Sequence, residues 1–173
     1  MVVGQGLKIG LSLRYENPKE IGADRIVNAV AAYEEHASKG KPMIIIDFGT
    51  ATTFCALLPT GVYLGGAIVP GIGISAEALF QRTAKLPRIE LLPPKKAICT
   101  NTVSAMRAGI MYGYFGLIEG LIKHFKDELG GDGLVIATGG FANTMAAGTK
   151  SIDIVEPFLT LEGLRLIYEK NKK

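Results

Sequence analysis

The sequence predicts an α/β fold in which helices surround a mixed sheet. Between residues 42 and 70, three apolar segments rich in β-branched residues are joined by tight turns, which predicts antiparallel strands. Beyond residue 100, helical patterns alternate with short apolar segments, an order that places helices around the sheet. The 173 residues, 48% of them hydrophobic, suffice for one large domain or one and a half small ones.

Charge and composition exclude several classes of partner. The net charge of +3 comes from scattered basic residues, which does not indicate a nucleic-acid-binding surface. The longest apolar segment, residues 108–118, is shorter than the roughly 18 residues of a membrane span, and no export signal is recognisable. Cys55 and Cys99 lack CxxC spacing, which favours free thiols in a reducing cytosol. We therefore expect a cytoplasmic protein without membrane or nucleic-acid partners.

The first forty residues predict one strand and one main helix. Residues 2–10 predict a strand and turn, and Asn-Pro-Lys-Glu at residues 17–20 is a typical helix start. Asp24 and Arg25 fall in the first turn of the next helix, where the helix dipole favours an ionised Asp24. Its apolar face is predicted to contain Ile26, Val30, Tyr33 and Ala37, with Asn28, Glu34, Glu35 and His36 away from that face.

A carboxylate stands where the first buried strand ends. The apolar residues 43–46 precede Asp47, whose burial is costly unless a cationic group meets it. Gly49 permits close approach of a ligand, and Thr50 offers donors to anionic oxygens. These residues predict either a corner that binds a metal-bound or cation-bound phosphate, or an ordinary hairpin in which Asp47 caps its own turn.

The remaining elements complete the order βββααβαβα from residue 42. We expect a third strand over residues 62–69, a helix over 74–86 and a long helix from Asn101 to about Leu129. Apolar residues on nearly all sides of residues 105–121 predict that the first half of the long helix is buried. Its glycines, spaced by three or four residues, form a smooth face for another helix: Gly109, Gly113, Gly116 and Gly120.

The last third of the chain predicts two strands and two helices. Residues 134–138 form a buried strand followed by Gly139 and Gly140, then a helix from about Phe141. This arrangement places backbone amides beside whatever binds above the sheet. A strand at 152–155 and a helix from Thr160 follow. The whole order indicates a mixed sheet of ribonuclease-H-like type.

Four short segments together resemble the type III pantothenate kinases, members of the actin, Hsp70 and sugar-kinase superfamily. Each is weak alone, but their order is specific: Gly22–Arg25, Asp47–Thr50, Asn101–Ser104 and Thr138–Gly140. The resemblance implies an actin-like ATPase lobe of ribonuclease-H-like fold. Residues 1–40 would be the remnant of a first lobe, with its last strand and substrate-side helix, and residues 41–173 the second lobe.

The resemblance also implies an activity. It is transfer of the ATP γ-phosphoryl group to the 4′-hydroxyl of pantothenate, the first step of coenzyme A synthesis. The implied cofactors are ATP, Mg²⁺ with the ATP, and a monovalent cation, K⁺ or NH₄⁺. The implied assembly is a homodimer whose pantothenate pocket lies near the subunit boundary.

Site residues follow from the resemblance position by position. Asp24 would be the general base, Asp47 would bind the monovalent cation, and Thr102 would contact pantothenate. The other implied contacts are Tyr15, Gly22, Ala23, Asp24 and Arg25 with pantothenate, Gly49 and Thr50 with the nucleotide, and Gly139 and Gly140 on the adenosine side. The simpler alternatives are an ion pair between Asp24 and Arg25 and an N-cap role for Thr102.

One family feature has no counterpart in this sequence. Members begin with an Asp-x-Gly-Asn-Thr phosphate loop, and the 173 residues contain no such motif. We therefore expect a truncated or split chain, or one whose remaining piece is another chain, with little or no kinase activity alone. A non-catalytic binding or regulatory relative is the alternative. Another small-molecule kinase, such as a sugar or acetate kinase, is disfavoured by residues 22–25.

Overall fold

The structure, a computed structural model, describes residues 6–172. These residues form six strands and five α-helices. The strands are β1 (Ser12–Leu13), β2 (Met43–Phe48), β3 (Ala51–Leu57), β4 (Val62–Pro70), β5 (Leu134–Gly139) and β6 (Ile154–Val155). The helices are α1 (Ala23–His36), α2 (Ile72–Arg82), α3 (Thr102–Glu128), α4 (Ala142–Gly148) and α5 (Leu159–Asn171). Two short 3₁₀ helices occupy Pro18–Glu20 and Ala37–Lys39.

The six strands form one mixed sheet in the order β1-β4-β3-β2-β5-β6. Strands β2, β3 and β4 pair antiparallel, whereas β5 pairs parallel to both β2 and β6. This confirms the predicted fold class, a mixed sheet flanked by helices. Because β2 and β5 are parallel, with Phe48 opposite Gly139, both strands end at the same edge. Ligands of open α/β sheets bind at such edges.

Strand β2 has a different helical layer on each face. Ile44 and Ile46 belong to the core beneath α2, α3 and α4, whereas Met43 and Ile45 pack in the core that includes residues of α1 and α5. Since successive side chains of a strand point to opposite faces, Asp47 shares the face of Met43 and Ile45. The carboxylate therefore lies on the side of the sheet that α1 covers.

The N-terminal region joins this same sheet. Strand β1 pairs in parallel with β4, and α1 packs against α5 so closely that a Cβ on Gly163 would lie 2.1 Å from the Val27 carbonyl oxygen. The strand expected over residues 2–10 is not found at residues 7–10; residues 1–5 lie outside the described part. The division at residue 40 into parts of two lobes stays a prediction.

Helix α1 is more deeply buried than its sequence pattern predicts. Asn28 is 2% exposed and His36 is 8% exposed, although both lie off the predicted apolar face. The physical reason is that α1 is covered by the sheet and also by α5. A single apolar face was therefore the wrong expectation for this helix.

Helices α2 and α3 are more exposed than expected. Helix α2 begins two residues earlier than predicted and ends at Arg82 instead of residue 86. The buried residues of α3 follow one side: Met106, Ala108, Met111, Tyr114, Ile118 and Ile122. The expectation of all-round burial was wrong because the sheet covers one side only. At each of the glycines 109, 113, 116 and 120, a Cβ would meet no heavy atom of the described residues within 4 Å.

Candidate functional site

Asp47 is held at the end of β2 by a polar side chain from α1. The Asn28 Nδ2 donates a hydrogen bond of 2.9 Å to Asp47 Oδ2. Thr160, at the start of α5, donates its hydroxyl to Asn28 Oδ1 over 2.7 Å. The carboxylate is thus fixed by a chain of hydrogen bonds that connects β2, α1 and α5. No hydrogen bond between the Asp47 side chain and its own turn is found in residues 6–172.

The surroundings of Asp47 favour a bound cation. Burial raises the pKa of the Asp47 carboxyl, the hydrogen bond from Asn28 lowers it, and the charge of nearby Asp24 raises it further. Two carboxylates therefore lie close enough to repel each other. A cation between or beside them would offset both the lost hydration and the repulsion.

Glycine is required beside Asp47 at the end of β5. Gly139 has a φ of 92°, and a Cβ there would lie 2.7 Å from Asp47 Oδ1 and 2.7 Å from the Phe48 nitrogen. Such distances are not found for real Cβ atoms. Gly140, the next residue, faces open space. The two glycines thus have different roles. Gly139 allows β2 and β5 to end side by side, and Gly140 leaves this edge of the sheet accessible to a ligand.

Asp24 lies exposed in the first turn of α1. A Cβ on the preceding cap residue, Gly22, would lie 2.4 Å from Asp24 Oδ1, so the carboxylate turns back over this glycine. The positive end of the helix dipole stabilises its charge. Within the described part of the chain no ion pair joins Asp24 to Arg25, so that alternative is not observed.

Arg25, the residue after Asp24, is buried, and its Nη2 donor has no hydrogen-bond partner. Its Nε donates to Cys55 Sγ over 3.3 Å, and its guanidinium lies 5.9 Å from the centre of the Tyr63 ring. The Tyr63 hydroxyl donates to the same sulfur. The Nη2 atom of Arg25 is buried and has no hydrogen-bond partner. A buried, unpartnered cationic donor is costly by itself and suits an anionic group of a ligand.

Tyr15 lies in the same region. Its ring is 6.4 Å from that of Tyr63, and a Cβ on Gly65 would contact it at 3.5 Å. Burial lowers the pKa of Arg25, but the neighbouring Cys55 and Tyr63, and to a smaller extent Tyr15, raise it above its ordinary value. The structure therefore brings together Tyr15 and Arg25, two of the residues predicted to contact pantothenate.

The predicted nucleotide residues Gly49 and Thr50 form the exposed turn between β2 and β3. The Thr50 carbonyl accepts a hydrogen bond of 3.1 Å from the Gly71 nitrogen. A Cβ on Gly71 would lie 2.2 Å from that oxygen, so the start of α2 packs directly against the turn. The start of α2 therefore fixes the turn on its inner side, and the outer side of the turn faces solvent.

Thr102 is the first residue of α3 and is exposed. The cap is its neighbour Asn101, whose side chain accepts a hydrogen bond of 2.9 Å from the Ser104 nitrogen. The alternative that Thr102 acts as N-cap was therefore wrong. In residues 6–172, no hydrogen bond connects Thr102 to α1.

The sequence patterns missed the residues that support this site. Asn28, Thr160 and Cys55 were given no role, yet the first two hold Asp47 and the third binds Arg25. One signal was available for Asn28, which follows Asp24 by four residues and so lies on the same side of the helix.

A comparison with protein families identifies the group to which these motifs belong. The sequence model of the type III pantothenate kinase family matches residues 1–124 of this chain. The chain belongs to the type III pantothenate kinase family. The matched residues contain Tyr15, Asp24, Asp47 and Thr102, whereas Gly139 and Gly140 lie beyond them. Membership in this kinase family supports a general phosphotransferase function with ATP and pantothenate as substrates.

A solved structure shows the same fold. It is that of a conserved protein from Campylobacter jejuni described as a Baf family transcriptional activator, with a TM-score of 0.62 and 22% sequence identity. The alignment covers 93% of this chain and 68% of the other. At this identity the likeness supports the α/β architecture alone.

In the part of the chain that the structure describes, the helices are too short or too polar to span a membrane.

Proposed function

We propose that this chain provides the pantothenate-binding and cation-binding side of a type III pantothenate kinase, in which the ATP γ-phosphoryl group passes to the 4′-hydroxyl of pantothenate. The observation that carries the proposal is the pairing of Asp24 with Asp47, two carboxylates within electrostatic reach where β2 ends. Phosphoryl transfer depends mainly on positioning and charge stabilisation, which these groups can supply.

The two carboxylates have separate roles in this proposal. Asp24 is exposed and can reach a substrate hydroxyl, so it acts as the general base. Asp47 is half-buried and fixed by Asn28, so it binds the monovalent cation, K⁺ or NH₄⁺. The cation offsets the charge repulsion between the two carboxylates and leaves Asp24 available to the substrate.

Substrate contacts lie on both sides of this pair. The guanidinium of Arg25, whose Nη2 atom is buried without a partner, turns outward to bind the pantothenate carboxylate, and Tyr15, Gly22 and Ala23 provide further contacts. Nucleotide, with Mg²⁺, is placed over the turn at Gly49 and Thr50 and beside Gly139 and Gly140. Thr102 completes the pantothenate pocket from a second subunit. We place the reaction in the cytoplasm, in keeping with the two free cysteines.

Calorimetric titration with pantothenate in K⁺ buffer tests the binding part of this proposal. We expect measurable binding by the unmodified chain and a loss of at least about tenfold in affinity for Arg25→Gln, because a charge-assisted hydrogen bond is removed. Arg14→Gln is the matched control, since Arg14 is an exposed arginine of the same region. Absence of both pantothenate and ATP binding would instead support a non-catalytic relative.

A coupled assay of ADP release tests the catalytic part. We expect little or no turnover by the 173 residues alone, because the sequence contains no Asp-x-Gly-Asn-Thr loop. Robust turnover would overturn that expectation. Any measurable turnover should fall by about 10²- to 10⁴-fold in Asp24→Asn, the usual contribution of a general base.

We also propose that two copies associate through α3. Its glycines 109, 113, 116 and 120 leave an open face, and Tyr112 of the same helix is 42% exposed. A flat, partly apolar helix face allows close packing with a second copy. Sedimentation should show a dimer at micromolar concentration that Gly113→Arg disrupts. A monomer of the unmodified chain would contradict the proposal.

A further inference from the structure

A second cluster of ligand-forming side chains lies at the opposite end of α1. Glu35 and His36 are the last residues of the helix before the 3₁₀ turn, and Glu156 follows β6. The backbone of Glu156 is fixed on both sides, since its nitrogen donates to the Ala137 carbonyl and its carbonyl accepts from the Leu159 nitrogen. The three side chains therefore meet on ordered backbone. None of them belongs to the proposed kinase site.

The imidazole of His36 faces both carboxylates without forming a hydrogen bond. His36 Nε2 lies 3.7 Å from Glu35 Oε2 and 3.7 Å from Glu156 Oε1, beyond hydrogen-bond distance. This nitrogen is buried and has no partner, and the residue is only 8% exposed. A buried polar atom without a partner is rare in folded proteins and requires an explanation.

The spacing matches the ligands of a small metal ion better than it matches hydrogen bonds. One atom from each of the three side chains lies within 4.8 Å of the others. A tetrahedral ion with bonds of about 2.1 Å separates its ligand atoms by about 3.4 Å. The two contacts of 3.7 Å need to shorten only slightly to surround such an ion, and the two carboxylate oxygens, at most 4.8 Å apart, can approach each other by rotation of the partly exposed glutamate side chains. A hydrogen bond would require a contraction to about 2.9 Å.

The charges at this end of the helix also favour a cation. Two carboxylates face one imidazole, and the negative end of the helix dipole adds to their field. Two cations lie near the cluster, but neither forms an ion pair with it in the described part of the chain: Arg165 pairs with Glu162 and Glu169, and Lys39 is close enough to act on His36 without pairing with either glutamate.

We propose that His36 Nε2, Glu35 and Glu156 bind one divalent transition-metal ion of the zinc type. The imidazole nitrogen favours zinc-like ions over Mg²⁺ and Ca²⁺, which prefer all-oxygen sites. Both glutamate side chains are 35% exposed, so the ion can enter from solvent and keep water in its open position. The ion connects the C-terminal end of α1 to the segment between β6 and α5.

The site lies apart from the kinase residues. At 1.5 Å per residue, His36 is about 18 Å along the helix axis from Asp24. The role that fits this position is stabilisation of α1, whose other end carries Asp24. The inference therefore does not depend on the proposed kinase function.

The test is a Zn²⁺ titration of the full, untagged 173-residue chain with the Cys99→Ser substitution, because exposed thiols also bind Zn²⁺. We expect one ion per chain by calorimetry, a rise in the melting temperature with Zn²⁺ but not with equal Mg²⁺, and visible absorption bands with Co²⁺. Because even outer partners of metal sites change affinity by about 10- to 100-fold, His36→Gln and Glu156→Gln should each weaken Zn²⁺ binding at least about tenfold.

Glu34→Gln is the matched control, since this exposed glutamate is adjacent on the helix and pairs with Lys170 instead. It should bind Zn²⁺ as tightly as the parent chain. If His36→Gln does not fold, the Zn²⁺ affinity of Glu156→Gln still tests the proposal. Absence of Zn²⁺ binding by the parent, unchanged affinity in a folded ligand variant, or an equal response to Mg²⁺ would overturn the proposal.

Discussion

Helix α1 carries carboxylates at both ends, and the two ends stabilise them differently. At the N-terminal end, the helix dipole favours Asp24, and Asp47 accepts a hydrogen bond from Asn28. At the C-terminal end, Glu35 and Glu156 lie 3.7 Å from His36 Nε2 without a hydrogen bond, where the dipole opposes negative charge. At the first end a side chain of the protein orders the carboxylate of Asp47, whereas at the second end no side chain of the described residues forms a hydrogen bond with His36 Nε2, and the proposed metal ion takes that role.

The comparison indicates which substitutions should destabilise the fold and which should not. Hydrogen bonds and close backbone packing support the N-terminal end, so loss of those contacts should lower the free energy of unfolding. Repulsion dominates the metal-free C-terminal end, so removal of charge there should raise it. The following predictions run from the largest expected effect to the smallest.

The largest effect is expected for Gly139→Ala. A Cβ at this left-handed position would meet the Phe48 backbone and Asp47 Oδ1 at 2.7 Å, which should cost about 3 kcal/mol of unfolding free energy. Urea unfolding measures the change. Gly140→Ala is the control, because its Cβ would enter open space, and should change stability by about 0.5 kcal/mol or less. Equal effects of both would contradict the role given to Gly139.

Asn28→Ala should be the next in size. It removes the partners of both Asp47 and Thr160, and loss of a buried hydrogen-bond partner costs about 2 kcal/mol. Asn143→Ala, at an exposed position of α4, provides the comparison and should cost about 0.5 kcal/mol or less. If thermal and urea unfolding show the same loss of stability for both variants, the hydrogen bonds of Asn28 do not stabilise the N-terminal end of α1.

The raised pKa of Asp47 should be visible in the pH dependence of the free energy of unfolding. Burial raises its pKa in the folded state above the ordinary value of 3.8, so the folded chain holds this proton more tightly than the unfolded chain. The contribution of Asp47 to stability therefore falls as pH rises from 3.8 through the raised pKa, and stays lower above it. Asp47→Asn should remove this fall. Urea midpoints across acidic pH that coincide for both chains would refute the assignment.

The smallest effect, of opposite sign, is expected for Glu35→Gln in the presence of a chelator. It removes repulsion with Glu156 and an unfavourable interaction with the helix dipole, so stability should rise by about 0.5 kcal/mol. Glu34→Gln loses a surface ion pair with Lys170 and should lower stability by about 0.5 kcal/mol or less. A decrease for Glu35→Gln would mean that its end of α1 is already stabilised without metal.

Local patterns were sufficient for much of the architecture. Tight turns and β-branched residues predicted β2, β3 and β4, and the start of the long helix was predicted to within one residue, although its cap is Asn101 and not Thr102. Burial was less predictable: α3 is covered on one side only, and α1 on two. Periodicity reports how apolar a face is, but the number of neighbours that cover it depends on the packing of the whole chain.

The sequence by itself determined the α/β order, the family and the candidate pair Asp24 and Asp47, because short motifs and hydrophobic spacing are local properties. Only the tertiary structure decided what surrounds that pair. Thr160 reaches Asn28 across 132 residues of sequence, and Glu156 meets His36 from a different element. Hydrogen bonds and metal ligands depend on distances between atoms in space, and a one-dimensional pattern does not contain those distances.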